Sequence, residues 1–462
     1  LPKPTLGEMA WKKLSSLKDR DVTRTWFKSD RIAASFRHRS SAWMIPVICG
    51  FLTILTPACT ECDLVKDDNA TGPLPPTFGN LSLESDPFVN AATKDSQLAV
   101  LHALFDPKAG YRLPGTYDKA KLEALFLDVR AGYFVKTEGI DEHIRREYHT
   151  FTHAMDIVVT THGLLRGGGA VFLNEHEQSA LVLAALSHDV LHSGVSNAFL
   201  INVDHALAKK WGSKSLQERR SANHTLTLLD KHKVLVTKDG MQESLKSSIA
   251  DAREIIEESI LWTDMARHKE QMEKVSASLD EVNAALQEVR KGEIGKGGAT
   301  VEDVRAGVNV SSILDKETRI LLAAFLLHCA DISNPSKDWA LCERWAVIVM
   351  NEFFSQGDVE RKLGHKLSMN CDRESVSVSQ CQLGFGNYVI RSLLQLLEKL
   401  VHTAGSQSLE NFEANHKHWE EIAKKEAESG KPYLIKLNPP SKEGGWLGEL
   451  REGEDLAPSS RH

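Results

Sequence analysis

From about residue 91 to about 425, apolar side chains recur every three or four positions, as in Leu122-Leu125-Phe126-Val129 and Leu321-Leu322-Phe325-Leu326. That spacing marks one face of an α-helix, and no stretch alternates as a half-buried strand would. Such stripes are buried by packing helix against helix, so the sequence predicts an all-α, compact multi-helix domain over residues 91–425. Lys291 to Thr300 (K-G-E-I-G-K-G-G-A-T) interrupts the pattern and predicts a loop, close enough in sequence to gate a cleft. Thr71 to Asn90 is rich in Pro, Gly, Ser and Asn and closes an N-terminal extension, residues 1–90. Residues 426–462, with Pro439-Pro440 and several glycines, read as a tail.

The extension is uneven in charge. Residues 1–39 hold ten Lys or Arg against four Asp or Glu, and Ser40 to Thr60 holds no charged side chain. A run of about 20 uncharged residues is long enough to cross a bilayer. Pro46 and Pro57 weaken that reading, and a buried or partner-docked apolar segment is the alternative. The chain begins at Leu1, so its first residue says nothing about the true N-terminus. The net charge of −7 argues against nucleic-acid binding through a global basic field. Seven cysteines without regular spacing argue against a disulfide framework. They suit a reducing compartment, hence a cytoplasmic catalytic domain, membrane-associated if residues 40–60 insert.

Chemistry concentrates in three places. The apolar run Ala180 to Leu186 leads into His188-Asp189-Val190-Leu191-His192. An adjacent His-Asp pair at the end of a buried helix is costly unless satisfied, and a divalent metal satisfies both side chains at once. His192 lies four residues after His188, one turn on if the helix continues. Upstream, His149 and His153 in Y-H-T-F-T-H have the same spacing, which suits one metal ligand and one proton donor. Downstream, Asp331 closes another apolar helix just before Asn334-Pro335. His153, His188, Asp189 and Asp331 together form a mixed imidazole–carboxylate set that can hold zinc and leave positions open for water.

These strings resemble the catalytic domain of the class I cyclic nucleotide phosphodiesterases, a helical branch of the HD metal-hydrolase group. The matching motifs run in family order: Y-H-x-x-x-H at 148–153, H-D-V-x-H-x-G-x-x-N at 188–197, and Thr263-Asp264-Met265-x-x-His268. A-D-I-S-N-P-x-K at 330–337, Glu352-Phe353-Phe354-x-Gln356-Gly357-Asp358 and Gln382-Leu383-Gly384-Phe385 follow. The resemblance implies a binuclear metal site in a deep pocket. His153, His188, Asp189 and Asp331 would hold the tighter metal, zinc, and Asp189 would bridge to a second, magnesium or manganese. His149 would be the general acid, with His192 and Glu218 steering the water network. Gln382 would bond the purine edge, Phe385 and Val349 would sandwich the ring, and Asn334, Trp345, Phe353, Leu383 and Met369 would line the rest. Taken alone, Phe385 would be an ordinary core aromatic. The implied reaction is metal-dependent hydrolysis of a 3′,5′-cyclic nucleotide, cyclic AMP or cyclic GMP, to the 5′-monophosphate. Another HD-type phosphohydrolase and a catalytically impaired cyclic-nucleotide sensor are the alternatives. The resemblance leaves room for a homodimer.

Three features depart from the family pattern. Thr150 stands where asparagine is usual after the general-acid histidine, which could loosen His149. Where the family has S-V-L-E-N-H-H, the chain reads Ser215-Leu216-Gln217-Glu218-Arg219-Arg220-Ser221, keeping the glutamate and losing both histidines. A rival register through Asn223-His224 would leave no glutamate there. The segment from His268 to Asp331 is longer than usual, with the excess assigned to 291–300.

Overall fold

Local capping signals set where the helices begin. The computed structural model describes residues 94–430, apart from 107, 109, 116 and 291–296. The extension with its apolar segment 40–60, most of the glycine-rich loop and the tail beyond 430 lie outside the described residues. Those residues form α1 (Lys94–Leu104), α2 (Lys119–Gly132), α3 (Phe151–Arg166), α4 (Glu175–Ser187) and α5 (Asn197–Asn202). Next come α6 (Ala206–Trp211), α7 (Leu216–His232), α8 (Glu243–Leu261), α9 (His268–Val289) and α10 (Val301–Arg305). Last are α11 (Lys316–Asp331), α12 (Trp339–Lys362), α13 (Val378–Phe385), α14 (Arg391–Leu400) and α15 (His402–Ser429). There is no strand among the described residues; Ala299 and Val401 form one isolated parallel bridge. The all-α expectation holds.

Asn174 caps α4 in a reciprocal box with Glu177, and Asp315 and Asp338 cap α11 and α12 through the amides of Thr318 and Leu341. Each such cap satisfies donors that a helix start leaves open. α4 is buried on every side from Glu177 to Ser187. It packs against α3, α8 and α11 and forms the axis of the main core. A helix with no wet face is placed entirely by its neighbours. α3 and α4 are joined by a short connection, so the start of α3 lies beside the end of α4, and α11 packs against both. His153, His188-Asp189 and Asp331 sit at those three ends.

The glycine-rich loop is anchored elsewhere. The Ala299 amide donates to Leu400 O at 2.8 Å, and the His402 amide donates to Ala299 O at 2.7 Å. Gly168 (φ 140°) lies against this bridge, where a Cβ would come within 2.7 Å of Ala299 O. Gly168 follows the C-terminal end of α3, about 20 Å from His153 at 1.5 Å per residue. The described end of this loop is thus fixed at the far end of α3, and residues 291–296, on which the gating expectation rests, lie outside the described residues. Among the described residues, no helix is long and apolar enough to cross a membrane.

Candidate active site

α3 starts at Phe151 with Thr150 as its N-cap residue, which places His153 in the first turn and His149 just outside the helix. His153 Nε2 lies 3.0 Å from Asp331 Oδ1 and 3.7 Å from Asp189 Oδ2. His188 Nε2 lies 3.1 Å from Asp189 Oδ2 and 3.3 Å from Asp331 Oδ1. The four residues offer ligand atoms all within 4.8 Å of one another.

The donor set fits a cation. His188 Nδ1 lies 2.9 Å from Ala185 O, so that nitrogen carries the proton and donates it. A neutral imidazole then turns its Nε2 lone pair toward two carboxylates, so three acceptors face one another. A divalent ion satisfies all of them together. Without one, burial alone would strip His188 of a second proton, yet Asp189 and Asp331 hold it strongly protonated.

Beside this cluster stands a second group, His149, His192 and Glu352. The fully buried Glu352 carboxylate projects from α12. One oxygen accepts from the amides of Glu147, Tyr148 and His149 at 3.0, 2.8 and 3.3 Å. The other makes a very short contact with His149 Nδ1. Burial alone would push His149 down, but Glu352 and then Asp189 hold it at about 9. Burial would raise Glu352, but the His149 charge brings it to about 2. The sequence motif contained Glu352, but reading it assigned that residue no role. The Thr150 hydroxyl makes no cap bond and is buried without a partner. His149 is nonetheless held through its ring and its backbone amide, against the expected loosening.

His192 reaches the site by another route than expected. α4 ends at Ser187, and Leu191 takes left-handed backbone (φ 67°), so His188 and His192 do not share a helical face. The turn stacks His192 on His149 with ring centroids 3.7 Å apart. Burial, and then the His149 charge, pushes His192 down to about 3. Its partner on α7 is Gln217, not Glu218. Gln217 Nε2 lies 3.0 Å from His192 Nε2 and donates to Val195 O at 2.8 Å, while its oxygen accepts from the Ser193 amide. Glu218 accepts from Asn197 Nδ2 at 2.9 and 3.2 Å. Burial and then the Asp264 charge raise Glu218 to about 7.

Arg220, which stands at the position of the first of the family's two histidines, is absorbed into this frame together with Arg146. Arg220 donates to Leu191 O at 2.8 Å and Thr137 Oγ1 at 3.2 Å, and Arg146 donates to His192 O at 2.7 Å. Both thereby fasten the turn after α4. Arg220→Ala is expected to destabilise the chain by about 1–2 kcal/mol, the scale for a charge-assisted bond to a part-buried carbonyl. A urea unfolding curve with an unchanged midpoint would refute this.

The residues expected to hold substrate are more dispersed. Asn334 donates to Tyr148 Oη at 2.5 Å, and its own carbonyl oxygen is buried without a partner. Val349 packs with Tyr148 and Trp345, and Phe353 is half-buried on α12. Gln382, Leu383 and Phe385 lie half-buried on α13, which packs against α12 and α15. Phe385 touches the main core, while Leu383 joins a smaller cluster with Trp419. Met369 is 86% exposed and belongs to no cluster, which does not support its expected place in the lining.

Comparison with known proteins fits this geometry. Residues 148–412 match the family described as 3'5'-cyclic nucleotide phosphodiesterase. The chain is 31% identical over 308 residues to 3',5'-cyclic-AMP phosphodiesterase 4C of Rattus norvegicus, covering 66% of this chain and 52% of that protein. It thus spans about half the length of that curated relative. Among solved structures, it resembles the phosphodiesterase domain of the RhoPDE fusion protein from the choanoflagellate Salpingoeca rosetta. That likeness has a TM-score of 0.59 and 24% identity, covering 75% of this chain and 96% of the other. LmjPDEB1 in complex with IBMX gives a TM-score of 0.59 and 22% identity, covering 75% and 93%. At these identities the solved structures speak for the fold alone. The family implies divalent metals, and the His–Asp cluster is where this chain could take them. With residues 148–412, more than half of its length, matched, the chain belongs to the 3'5'-cyclic nucleotide phosphodiesterase family.

Proposed function

We propose that the chain hydrolyses a 3′,5′-cyclic nucleotide to its 5′-monophosphate. The observation that carries this is the juxtaposition of the four-residue His–Asp cluster with the His149–Glu352 pair. His153, His188, Asp189 and Asp331 would hold the metals, zinc in the tighter place and magnesium or manganese at the second through Asp189. Such ions lower the pKa of bound water and neutralise phosphate charge. His149, cationic beside Glu352, donates a proton to the departing 3′ oxygen, so that an alcohol rather than an alkoxide leaves. His192, held neutral against its face, does not compete for that proton. Glu218, fixed by Asn197, orients water beside the cluster. Gln382 bonds the base edge, Phe385 and Val349 flank the ring, and Asn334, Phe353 and Leu383 complete the pocket.

Cyclic AMP is the first substrate to test, on the printed name of the rat relative. The impaired-sensor alternative has no observation in its favour, since the four presumed ligands and the acid are all in place. Membrane association rests on the uncharged segment 40–60 alone. The test is hydrolysis of cyclic AMP and cyclic GMP by the full chain, before and after chelation and with zinc or magnesium restored. Metal-dependent release of the 5′-monophosphate is expected. Tight nucleotide binding without turnover under every metal condition would favour the sensor instead.

A further inference from the structure

A cavity of about 310 Å³ opens far from the His–Asp cluster, between the α1–α2 connection, the start of α2 and the α7–α8 connection. Its floor is apolar and well buried: Phe105, Leu122, Leu235 and Ile249 are each at most 6% exposed. Tyr111 closes one wall, its hydroxyl committed to His162 Nδ1 at 2.8 Å. The rim is cationic, with Arg112, Lys121, Lys233 and Lys238 against a single carboxylate, Asp118. Asp118 is already engaged, capping α2 and pairing with Lys121 at 3.0 Å. Arg112, Lys233 and Lys238 carry no side-chain ion pair among the described residues.

Two rim and floor residues, Lys233 and Leu235, hold left-handed backbone at φ 55° and 54°. Strain of this kind persists only where the surroundings fix it, and it concentrates at ligand sites. The cavity is separate from the catalytic cluster. Gln217 and Glu218 stand at the N-terminal end of α7 and Lys233 just past its C-terminal end, about 25 Å apart along the axis.

An apolar floor ringed by unpaired cations selects a ligand with two parts, a compact apolar body and one negative charge. The volume suits a small aromatic or short alkyl acid. We propose that this cavity is a second small-molecule site, which takes a compact organic monoanion. Its floor desolvates the body, and Arg112, Lys233 and Lys238 face the acid group.

The probe is 2-naphthoate, measured by equilibrium dialysis against the full chain, with neutral 2-naphthalenemethanol as the comparison of equal shape. The expected result is saturable 2-naphthoate binding, with the neutral compound about tenfold weaker. The double variant Arg112→Glu/Lys238→Glu should weaken the acid by about the same factor and leave the neutral compound unchanged. Leu113→Trp, which fills the cavity, should abolish binding of both. Thermal melting checks that each variant folds; if the tryptophan variant does not, the exposed charge reversals decide. No saturable binding at millimolar 2-naphthoate overturns the proposal. So does binding that survives both the charge reversals and the filled cavity, which would place the ligand elsewhere.

Discussion

Asp331→Ala is expected to lower turnover of cyclic AMP by about 10³-fold or more, the scale on which a metal-dependent hydrolase loses its ion. Asp331 Oδ1 faces both His153 and His188, at 3.0 and 3.3 Å, so one atom joins the two imidazoles of the cluster. Without it, two imidazoles and Asp189 remain, so the ion loses one of its two carboxylates and is held less tightly. Divalent metal that survives dialysis should fall in the same preparation, measured by plasma emission. Circular dichroism should be unchanged, because Asp331 is the last residue of α11 and fills no core volume. Full metal content together with full turnover would remove Asp331 from the ligand set.

The second large effect concerns the proton. His149→Ala should cost about 10²–10⁴-fold in kcat, the usual contribution of a positioned acid. The more diagnostic substitution is Glu352→Gln. His149 is raised to about 9 with Glu352 beside it, so it is protonated at neutral pH and kcat should fall only as pH rises through that region. Removing the carboxylate charge leaves burial, which lowers the histidine, less opposed. The alkaline limb of the kcat profile should then move to lower pH, with activity recovering on acidification. An unshifted limb with a uniformly reduced rate would mean that Glu352 acts only through the backbone amides of residues 147–149.

Much of this site was legible in the sequence because its ligands fall at ends of strongly periodic helices. The apolar run before His188 and the apolar helix ending at Asp331 both announced where polar atoms must find a partner. The periodic reading went wrong at His192. A spacing of four residues suggests one helical face, but the chain leaves the helix at Ser187 and turns through a left-handed Leu191. Leucine gives no local cue for that conformation, which is fixed from outside by Arg220 and Arg146 on carbonyls of the turn. Glu352 and Gln217 were missed for a related reason. A carboxylate that gathers three amides some two hundred residues away leaves no periodic trace, and Gln217 was overshadowed by the acidic residue next to it. The gating role expected for the glycine-rich loop rested on sequence order alone, and only its end, bridged through Ala299 to Val401, falls among the described residues.

The middle of α12 carries a consequence of its own. Glu352 holds the strand of backbone before α3, and Gln356 accepts from the Ser196 amide at 2.8 Å. Gly357 admits a third segment, for a Cβ there would sit 1.8 Å from Cys371 O. Three neighbouring segments are thus indexed by three positions within two turns of one rod. Adding or deleting a single residue between Trp339 and Glu352 would turn that rod by about 100°. Every presumed ligand would survive such a change, yet the acid would lose its carboxylate and Cys371 would meet a side chain where it now meets hydrogen. For this chain, phase along α12 is as heritable a requirement as the identity of any histidine.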